Sequence, residues 1–485
     1  MRRGNRIIHA VIIALWCVII SYQSYGEEGA VNATVHEKTK HTREKVAGGR
    51  RAVDPASKPD VFKYYSGEKV LLAKEFDRTM PSLRNVLMGD VAVHDARLTL
   101  NDLSYILYHT NGITRQAGGL GMKYYFRAAP SAGALYPTEI YVAIRDVEGT
   151  QKGLYYYSVK DDALYLVRAG DVAKEIIDSS GTEVSPELIS ALVIFTGIAH
   201  RTMWKYGERG ARYVSLDTGH AAANNVLIGN ALGLTVRVNT HFNAASVAHA
   251  LDVNINEEQP YVITALLKNK QSIETKGNVT LRSDTGRGNG IALPPVRPEG
   301  KTELDNVIRD RRSQRVFSGE RISLHTAADI LFNTAGFLGR ASYTRSIWDD
   351  GTTMPLRLYV IIHNVETLKN GLYEYDPKAH ALHSITTADL EGPLSEACMG
   401  QRFVGKANIA VIKTISTAYL DKGEHAYTDA HIIAGALGEN AYLAAESYGL
   451  GACGIGAFFD DEVNQLLGID PAQETVVYIT AIGAV

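Results

Sequence analysis

The sequence predicts an α+β fold made of two tandem copies of one domain, which pair with each other inside the chain. Tyr141-Val-Ala-Ile followed by Gly153-Leu-Tyr returns as Tyr359-Val-Ile-Ile followed by Gly371-Leu-Tyr. Matched positions stay about 216 to 224 residues apart, a period that indicates a duplicated domain and not a solenoid. Helical and strand patterns alternate in each copy without the regular βαβ order of a parallel sheet. A duplicated domain can form within one chain the dimer that a single domain forms between two chains.

The composition is that of an ordinary globular protein. The 485 residues are 45% hydrophobic and 21% charged, and each copy is long enough to bury its own core. The net charge of -3 argues against nucleic-acid binding, because proteins of that class carry a basic excess. Nucleic acid is therefore not expected as a partner.

The first 26 residues are predicted to be a signal peptide or a membrane anchor. Basic residues precede an apolar run over residues 7–20, which is shorter than the about 20 residues that span a bilayer. Small residues follow at Ser24 and Gly26, as in a secretory signal that is cleaved near Glu27. We expect an exported protein, periplasmic or extracellular, or one anchored to the membrane through residues 7–20 if the segment is not cleaved.

Residues 27–60 are polar and are expected to form an extended tail before the first domain, which covers residues 61–268. Apolar residues at helical spacing predict a helix over residues 98–107, with Thr99 as its N-cap. Residues 220–234 are rich in Ala, Asn and Leu and end near Gly233, which predicts a long, closely packed helix. Runs of β-type residues predict strands over residues 140–144, 154–157, 164–167, 192–195 and 262–267.

Residues 269–302 are polar and glycine-rich and predict a linker, with a stiff final stretch from Leu293. The second domain, residues 303–485, repeats the order of helix, strands, long helix and strand. After the signal segment the only cysteines are Cys398 and Cys453. Two cysteines are too few for a disulfide framework, so two separately buried thiols are expected.

The second copy carries a cluster of arginines that suits a phosphate group. Arg311, Arg312, Ser313 and Arg315 bring three guanidinium groups and a hydroxyl together after a short helical pattern. Guanidinium forks match phosphate oxygens and stay charged at any working pH. A solvated basic helix end is the alternative that these residues alone leave open.

A glycine-rich segment follows the second long helix. Its glycines let the backbone approach a flat ligand closely, and the positions expected to face such a ligand are Gly454, Ile455, Gly456 and Ala457. A glycine-rich turn into a strand would explain the same residues without a ligand.

The first copy holds complementary features. Pro130, Ser131, Ala132 and Gly133 form a rigid loop of small residues that could lie against a planar ring. In the second copy the corresponding residues 350–357 have lost this sequence, whereas residues 87–91 of the first copy carry no cation in place of the arginines. Each copy has thus kept a part of a site that the other has lost.

Two adjacent titratable residues, Lys205 and Tyr206, could move a proton if their environment lowers the pKa of either group. The second copy has Asp421 and Lys422 at the aligned positions, so the pair occurs once. A surface loop of mixed charge is the alternative. His220, near the start of the long helix, has no second ligand at a suitable spacing, so we expect a packed or capping residue and not a metal ligand.

The combination of four motifs resembles the nitroreductase-like flavoproteins, and among them the SagB-type dehydrogenases. The motifs are Arg311-Arg-Ser-Gln-Arg315, Pro130-Ser-Ala-Gly-Ala-Leu-Tyr-Pro137, Lys205-Tyr206 and Gly219-His-Ala-Ala-Ala-Asn224. The resemblance covers nearly the whole chain after the signal segment. It implies a central mixed sheet wrapped by helices, and FMN at a dimer interface to which both subunits contribute.

Carried over to this chain, the resemblance implies a role for each motif. Arg311, Arg312, Ser313 and Arg315 would hold the FMN phosphate and ribityl chain, Pro130 to Gly133 would pack on the isoalloxazine, and the backbone of Gly454 to Ala457 would face the flavin N5 edge. Lys205 and Tyr206 match the pair that removes a proton in azoline-oxidising members while hydride passes to flavin N5.

The complementary losses lead us to expect one FMN site, which the two copies share. The expected function is that of an FMN-dependent oxidoreductase of the SagB type, acting on a small-molecule or peptide substrate. Two alternatives stay open: an FMN-dependent nitro- or quinone-type reductase, and a non-catalytic flavin-binding or scaffold protein.

Overall fold

The computed structural model has the predicted α+β fold in two copies. It describes residues 30–48, 53–94, 96–119, 122–180, 184–268, 290–297, 302–335, 356–420, 422 and 425–485. The expected signal segment, most of the linker, residues 350–355 and Asp421 lie outside this part of the chain. In the described residues, no helix is long and apolar enough to cross a membrane.

The strands of the first copy form one seven-stranded sheet and a separate hairpin. They are β1 Lys69–Leu71, β2 Ile113–Gly119, β3 Met122–Arg127, β4 Thr138–Ile144, β5 Gly153–Ser158, β6 Ala163–Ala169, β7 Ile189–Gly197, β8 Thr235–Asn239 and β9 Gln259–Leu267. The sheet has the order β1-β6-β5-β4-β7-β9-β8, and β2 pairs with β3 alone. Each strand predicted from a run of β-type residues lies within one of these.

The helices that precede the linker include one with a complete N-terminal cap. They are α1 Ala30–Thr39, α2 Arg43–Ala47, α3 Leu83–Met88, α4 Leu100–Asn111, α5 Val172–Ser180, α6 Ala199–Tyr206, α7 Gly210–Ala231 and α8 Ala244–Ala250. At the start of α4 the Asp102 N–H donates to Thr99 Oγ1 (3.1 Å) and the Thr99 N–H donates to Asp102 Oδ2 (2.9 Å). This capping box confirms the predicted N-cap.

The second sheet repeats the first strand for strand. Its strands are β10 Ile291–Ala292, β11 Leu356–Ile362, β12 Gly371–Asp376, β13 Ala381–Thr386, β14 Ile409–Ser416, β15 Gly451–Ile455 and β16 Glu474–Gly483, in the order β10-β13-β12-β11-β14-β16-β15. Neighbouring strands in both sheets are antiparallel. The resemblance implied a mixed sheet, with both parallel and antiparallel strands. For the described residues that expectation is wrong, because each sheet is entirely antiparallel.

Apart from one additional short helix at residues 402–405, the helices of the second copy follow the order of those in the first. They are α9 Leu304–Asp310, α10 Leu324–Ala335, α11 Glu391–Ala397, α12 Arg402–Gly405, α13 Thr417–Leu420, α14 Ala426–Ser447 and α15 Asp460–Leu467. Helices α7 and α14 begin and end 216 residues apart. The helix predicted over residues 220–234 begins earlier, at Gly210, because the residues before His220 are also buried.

The two copies meet where α7 and α14 cross. A Cβ at Gly219 would lie 2.0 Å from the Ile432 carbonyl oxygen, and a Cβ at Gly435 would lie 2.3 Å from the Leu216 carbonyl oxygen. Gly219 and Gly435 are 216 residues apart, as are Leu216 and Ile432. The two contacts are therefore related by a pseudo-twofold axis, and the chain contains its own dimer.

The segment before the first domain differs from the extended tail expected from its polar composition. It forms α1 and α2, and His36 and Thr39 are buried against the second copy. His36 Nε2 lies 3.1 Å from Thr475 Oγ1, and the two hydroxyls of Thr39 and Tyr427 lie 2.9 Å apart. Polar side chains therefore hold this segment, and a prediction based on apolar residues missed it.

The end of the predicted linker also belongs to the fold. Ile291 and Ala292 pair with Leu382 and Ala381, so the strand β10 extends the second sheet at its edge. Leu293 is buried. The second domain therefore begins before residue 303.

Candidate functional site

A cleft lies between the two copies and is lined by residues of both. The empty space in it, including its opening to solvent, is about 700 Å³. The first copy contributes the loop from Pro130 to Gly133, together with Tyr206, Tyr213, Leu216, Asp217 and His220. The second contributes Ser313, Arg315, Gln401, Tyr442, Tyr478 and residues 453–457.

A buried carboxyl group positions the loop of the first copy. The Ser131 hydroxyl donates to Asp217 Oδ2 (2.5 Å), and the Ala132 N–H donates to the same carboxylate (3.3 Å). Ser131 Oγ in turn accepts from the Tyr136 N–H at 2.9 Å. Burial raises the pKa of Asp217 to about 7, so this carboxyl group changes charge near neutral pH.

Gly133 brings the same loop close to the predicted proton-transfer pair. Its φ of +65° is in the left-handed region that favours glycine. A Cβ there would lie 2.7 Å from the Tyr206 hydroxyl and 3.1 Å from Lys205 Nζ. Both polar groups therefore approach one point beside the loop, and burial raises the pKa of Tyr206.

The glycines of the second copy make room for aromatic side chains. A Cβ at Gly454 would lie 1.9 Å from the Tyr478 hydroxyl, and one at Gly456 would lie 2.4 Å from the Tyr213 ring. The Gly454 N–H donates to Tyr442 Oη at 2.6 Å. The carbonyl of Gly456 accepts from Arg209 Nε at 2.9 Å, which holds this wall from behind.

The arginines are divided between the cleft and the interface of the copies. Arg315 lines the cleft, whereas Arg311 donates through Nε to the Ala128 carbonyl (3.0 Å) and through Nη2 to the Arg127 carbonyl (3.3 Å). Arg311 Nη1 is buried and has no hydrogen-bond partner among the described residues. Burial and the charges of Arg115 and Arg311 lower the pKa of Arg312. The unpartnered Arg311 Nη1 and the repulsion between these guanidinium groups favour an anion at this place.

Behind the cleft lies a group of buried polar residues that we call the floor network: His220, Glu439, Tyr478 and Lys413. His220 Nδ1 lies 2.7 Å from Glu439 Oε2, and His220 Nε2 lies 3.0 Å from the Tyr478 hydroxyl. Lys413 Nζ donates to Thr480 Oγ1 at 2.8 Å and lies 5.0 Å from the centre of the Tyr478 ring. His220 was expected to be a packed or capping residue; it is buried, and it also lines the cleft.

The pseudo-twofold axis relates this polar cleft to buried apolar positions. The counterparts of Asp217, His220, Glu439, Tyr442 and Tyr478 are, in order, Ile433, Ala436, Ala223, Val226 and Val262, all of them buried. The same fold is therefore built without these polar groups on the other side of the axis. Their presence on one side alone indicates a functional site and not a structural requirement.

The structure brings most of the sequence-predicted residues into one cleft. Those that line it are Pro130, Ser131, Ala132, Gly133, Tyr206, Ser313, Arg315, Gly454, Ile455, Gly456 and Ala457. Lys205 reaches Gly133 without being a lining residue, and Arg311 and Arg312 lie beside the cleft. Sequence reasoning missed Tyr213, Asp217, Gln401, Tyr442 and Tyr478. A position-by-position comparison of α7 with α14 could have found Asp217 and Tyr442, because each replaces an apolar residue.

Comparison with known proteins assigns the family. The model of the Nitroreductase family matches residues 93–266 and 308–484, one match in each copy. The chain belongs to the Nitroreductase family. A solved structure from Anabaena variabilis, described as a nitroreductase, is 26% identical, with a TM-score of 0.76 over 94% of this chain and 99% of that one. The resemblance to that family member therefore covers both copies.

Curated relatives resemble parts of the chain. MJ1384 of Methanocaldococcus jannaschii, named as a nitroreductase, is 32% identical over 34% of this chain and 84% of its own length. The trifolitoxin-processing protein TfxB of Rhizobium leguminosarum bv. trifolii is 30% identical over 27% of this chain and 36% of its own length. The microcin B17-processing protein McbC of Escherichia coli is 27% identical over 28% of this chain and 52% of its own length. The matches thus span about a third of TfxB and half of McbC.

Proposed function

We propose that this protein is an FMN-dependent oxidoreductase of the SagB type, with one FMN in the cleft that both copies line. The observation that supports the proposal most directly is the convergence of the small-residue loop of one copy with Ser313, Arg315 and the glycine-rich segment of the other. Membership of the Nitroreductase family supports the same cofactor. The substrate is a small molecule or a peptide, and hydride would pass between it and flavin N5.

The residues present fit FMN in two respects. The loop from Pro130 to Gly133 offers a wall of small side chains to a planar ring system. Near the other end of the site, Arg311 Nη1 is buried without a partner, and the charges of Arg115 and Arg311 help lower the pKa of Arg312. A phosphate group would give these guanidinium groups the anion that they lack.

The bound flavin would supply a hydride acceptor, and the protein would supply the proton acceptor. Burial raises the pKa of Tyr206, so its hydroxyl stays neutral and can act as a hydrogen-bond donor to the substrate. The amine of Lys205 approaches the same point beside Gly133, and we assign it the role of proton acceptor. A proton acceptor next to the reacting carbon is what dehydrogenation requires.

The names of the partial relatives favour a peptide substrate. TfxB is named as a trifolitoxin-processing protein and McbC as a microcin B17-processing protein. In the SagB-type group that the motifs resemble, the corresponding reaction oxidises azoline rings in peptides. We propose this reaction class for the cleft, with Lys205 and Tyr206 at the ring that loses hydride.

A second candidate is an FMN-dependent nitro- or quinone-type reductase, which the resemblance to MJ1384 favours. Such a reductase returns hydride from the flavin to an acceptor and has less need of a base at the substrate carbon. The pair of Lys205 and Tyr206 therefore distinguishes the two candidates.

Replacement of the proton-transfer pair tests the proposal. In Lys205→Ala and Tyr206→Phe, we expect the purified protein to keep its FMN absorbance and to lose dehydrogenase turnover by about 10²- to 10⁴-fold, the usual contribution of a general acid or base. Lys422→Ala is the matched control, because Lys422 occupies the position of Tyr206 in the other copy. Unchanged turnover in both variants would favour the reductase, and wild-type protein without FMN would exclude both candidates.

The N-terminal sequence supports a further proposal, that the enzyme is exported or anchored to the membrane. The apolar run over residues 7–20 carries this proposal. We expect N-terminal sequencing of the mature protein to begin near Glu27 after cleavage, or membrane fractionation to recover the uncleaved chain. Uncleaved protein in the cytosolic fraction would contradict it.

A further inference from the structure

Lys413 is a lysine in the main hydrophobic core. Its side chain is completely buried, and its ammonium donates to Thr480 Oγ1 at 2.8 Å. No carboxylate forms an ion pair with it among the described residues. Lysine is almost never fully buried unless it is paired, since an unpaired buried charge destabilises a fold. A position that opposes stability in this way calls for a functional explanation.

The strand register places Lys413 directly behind the wall of the cleft. Lys413 on β14 is opposite Tyr478 on β16, and Thr480 on the same strand is opposite Gly454 on β15. Tyr478 and Gly454 both line the cleft. Lys413 is therefore separated from the cleft by the strand that carries its own hydrogen-bond partner.

The other ionisable groups near Lys413 leave it as the cation of the floor network. Burial lowers the pKa of His220, so the imidazole is neutral. The Glu439 carboxylate can only accept, so it fixes the proton on His220 Nδ1, and Tyr478 donates to Nε2. The other ionisable groups that act on Tyr478 and His220 are Tyr442, Asp217, Cys453 and Arg311. Arg357 and Tyr359 flank Leu358, the register partner of Lys413, and lie on the opposite face of the sheet.

The duplicated domain shows what the fold requires at this position. The strand register shows that Phe195 of β7 occupies in the first copy the position of Lys413 in the second. Phe195 pairs with Val262 and Lys413 with Tyr478; each of these partners lies two residues before a matched threonine, Thr264 or Thr480. Phe195 is completely buried. On the side of the pseudo-twofold axis where the cleft residues are apolar, this position therefore holds an apolar side chain. On the side of the polar cleft it holds a lysine.

We propose that Lys413 is a buried proton-binding residue that balances the charge which the flavin gains on reduction, so that electron uptake in the cleft is coupled to proton uptake behind it. Hydride transfer from the substrate would bring two electrons and one proton to a bound flavin and add one negative charge. The amine of Lys413 would then take one proton from solvent, which leaves the net charge of the buried site unchanged. This inference rests on the proposed FMN site. In it Lys413 acts on the flavin through its charge and does not contact the ligand.

The pKa of Lys413 suits this role. Burial lowers it from its ordinary value to about 7, so a nearby negative charge can change its protonation at neutral pH. Below this pH the residue is charged in both redox states and favours the reduced flavin. When the pH exceeds the pKa that Lys413 has in the presence of reduced flavin, Lys413 is neutral in both redox states. It then no longer stabilises the reduced flavin.

The test compares the midpoint potential of bound FMN between pH 6 and 9 in wild-type protein, Lys413→Met and Lys413→Phe, with Lys406→Met as a control at an exposed lysine. At pH 6 we expect both core variants to lower the affinity for reduced FMN, relative to that for oxidised FMN, by at least tenfold. This corresponds to a midpoint potential about 30 mV below that of the wild type for a two-electron couple. The difference in midpoint potential should disappear towards pH 9. The control should match the wild type at every pH.

Stability of the apoprotein provides a second readout. A lysine whose folded pKa lies below its unfolded value lowers stability as the pH falls through that interval. We therefore expect Lys413→Met to melt at a higher temperature than the wild type at pH 7, with a smaller difference near pH 10. Lys413→Gln, which keeps a hydrogen bond to Thr480 without the charge, replaces either apolar variant that does not fold.

The outcomes separate the two proposals. Wild-type protein that binds no FMN overturns the proposed function, and this inference with it. Wild-type protein that binds FMN with the same potentials and the same pH dependence as the Lys413 variants overturns this inference alone.

Discussion

Asp217 shows at the scale of one residue how the site opposes the stability of the fold. Its carboxyl group is buried, and it accepts hydrogen bonds from Ser131 and Ala132, the loop proposed to lie on the flavin. Burial outweighs these hydrogen bonds and raises the pKa to about 7. The counterpart on the other side of the pseudo-twofold axis is Ile433, for which no such cost arises.

The raised pKa predicts a pH dependence of stability. Because the folded pKa of Asp217 lies above its unfolded value of 3.8, its contribution is greatest below pH 4 and is lost as the pH rises through 7. Each unit of the shift corresponds to about 1.4 kcal/mol. We expect the melting temperature of the apoprotein to fall less between pH 5 and pH 8 in Asp217→Asn than in the wild type. An equal fall in both would show that Asp217 is not the titrating group.

At the scale of elements, the crossing of α7 and α14 depends on two glycines. A Cβ at Gly219 or Gly435 would meet a carbonyl oxygen of the facing helix at 2.0 or 2.3 Å. Backbone cannot move aside as a flexible side chain can, so we expect Gly219→Ala and Gly435→Ala each to destabilise the protein by about 1–3 kcal/mol or more. Denaturant-induced unfolding measures this loss of unfolding free energy.

Gly392 is the matched control for these two helical glycines. It lies on α11, and a Cβ there would meet nothing within 4 Å. Gly392→Ala should destabilise the protein far less than either, because its Cβ meets no facing helix; since Gly392 precedes Pro393, no gain in stability is expected. Equal unfolding free energies for all three variants would contradict the close crossing.

The start of α15 joins both copies and the N-terminal segment through Asp460. Arg209 and Arg212 each donate to its carboxylate at 2.6 Å, and their guanidinium groups also donate to Thr39. Burial alone would raise the pKa of Asp460, but the two arginines outweigh it and hold the pKa below the usual range. The resulting stability is present above the unfolded pKa of 3.8 and is lost as the pH falls through the folded value.

Removal of this charge should be costly. Asp460→Asn leaves two buried guanidinium groups without their anion, and we expect a loss of about 3–5 kcal/mol at pH 7. The neighbouring change Asp461→Asn removes an exposed carboxylate from the buried amine of Lys40, which keeps its second partner Glu37, and should therefore cost clearly less. Thermal melts of both variants test this, and similar losses would show that the buried cluster has no special role.

At the scale of the whole molecule, the duplication explains which features could be predicted from the sequence. The repeated strand patterns gave the two sheets, and the unequal motifs gave a shared cleft with Ser131, Ser313 and Gly454 on its walls. Lys413 and Glu439 escaped prediction because a lone ionisable residue in an apolar run has no periodic signal. Helix α1 escaped because side-chain hydrogen bonds and ion pairs hold it, and the distant groups that they join cannot be identified from local sequence.

The asymmetry of the duplicated domain also determines how many ligands the chain should hold. The counterpart of the polar cleft has lost its arginines in residues 87–91 and has Ile433, Ala436 and Val262 in place of Asp217, His220 and Tyr478. Each charge-assisted hydrogen bond that a phosphate loses there is worth about 1.5–3 kcal/mol. The described residues on that side therefore offer no comparable binding energy.

The FMN content of purified, cofactor-saturated protein is the most direct measurement of this account. Flavin absorbance after denaturation, divided by the chain concentration, should give one FMN per chain for a monodisperse sample. Two FMN per chain would show that the copies did not divide one site between them, and none would show that the cleft is not a flavin site.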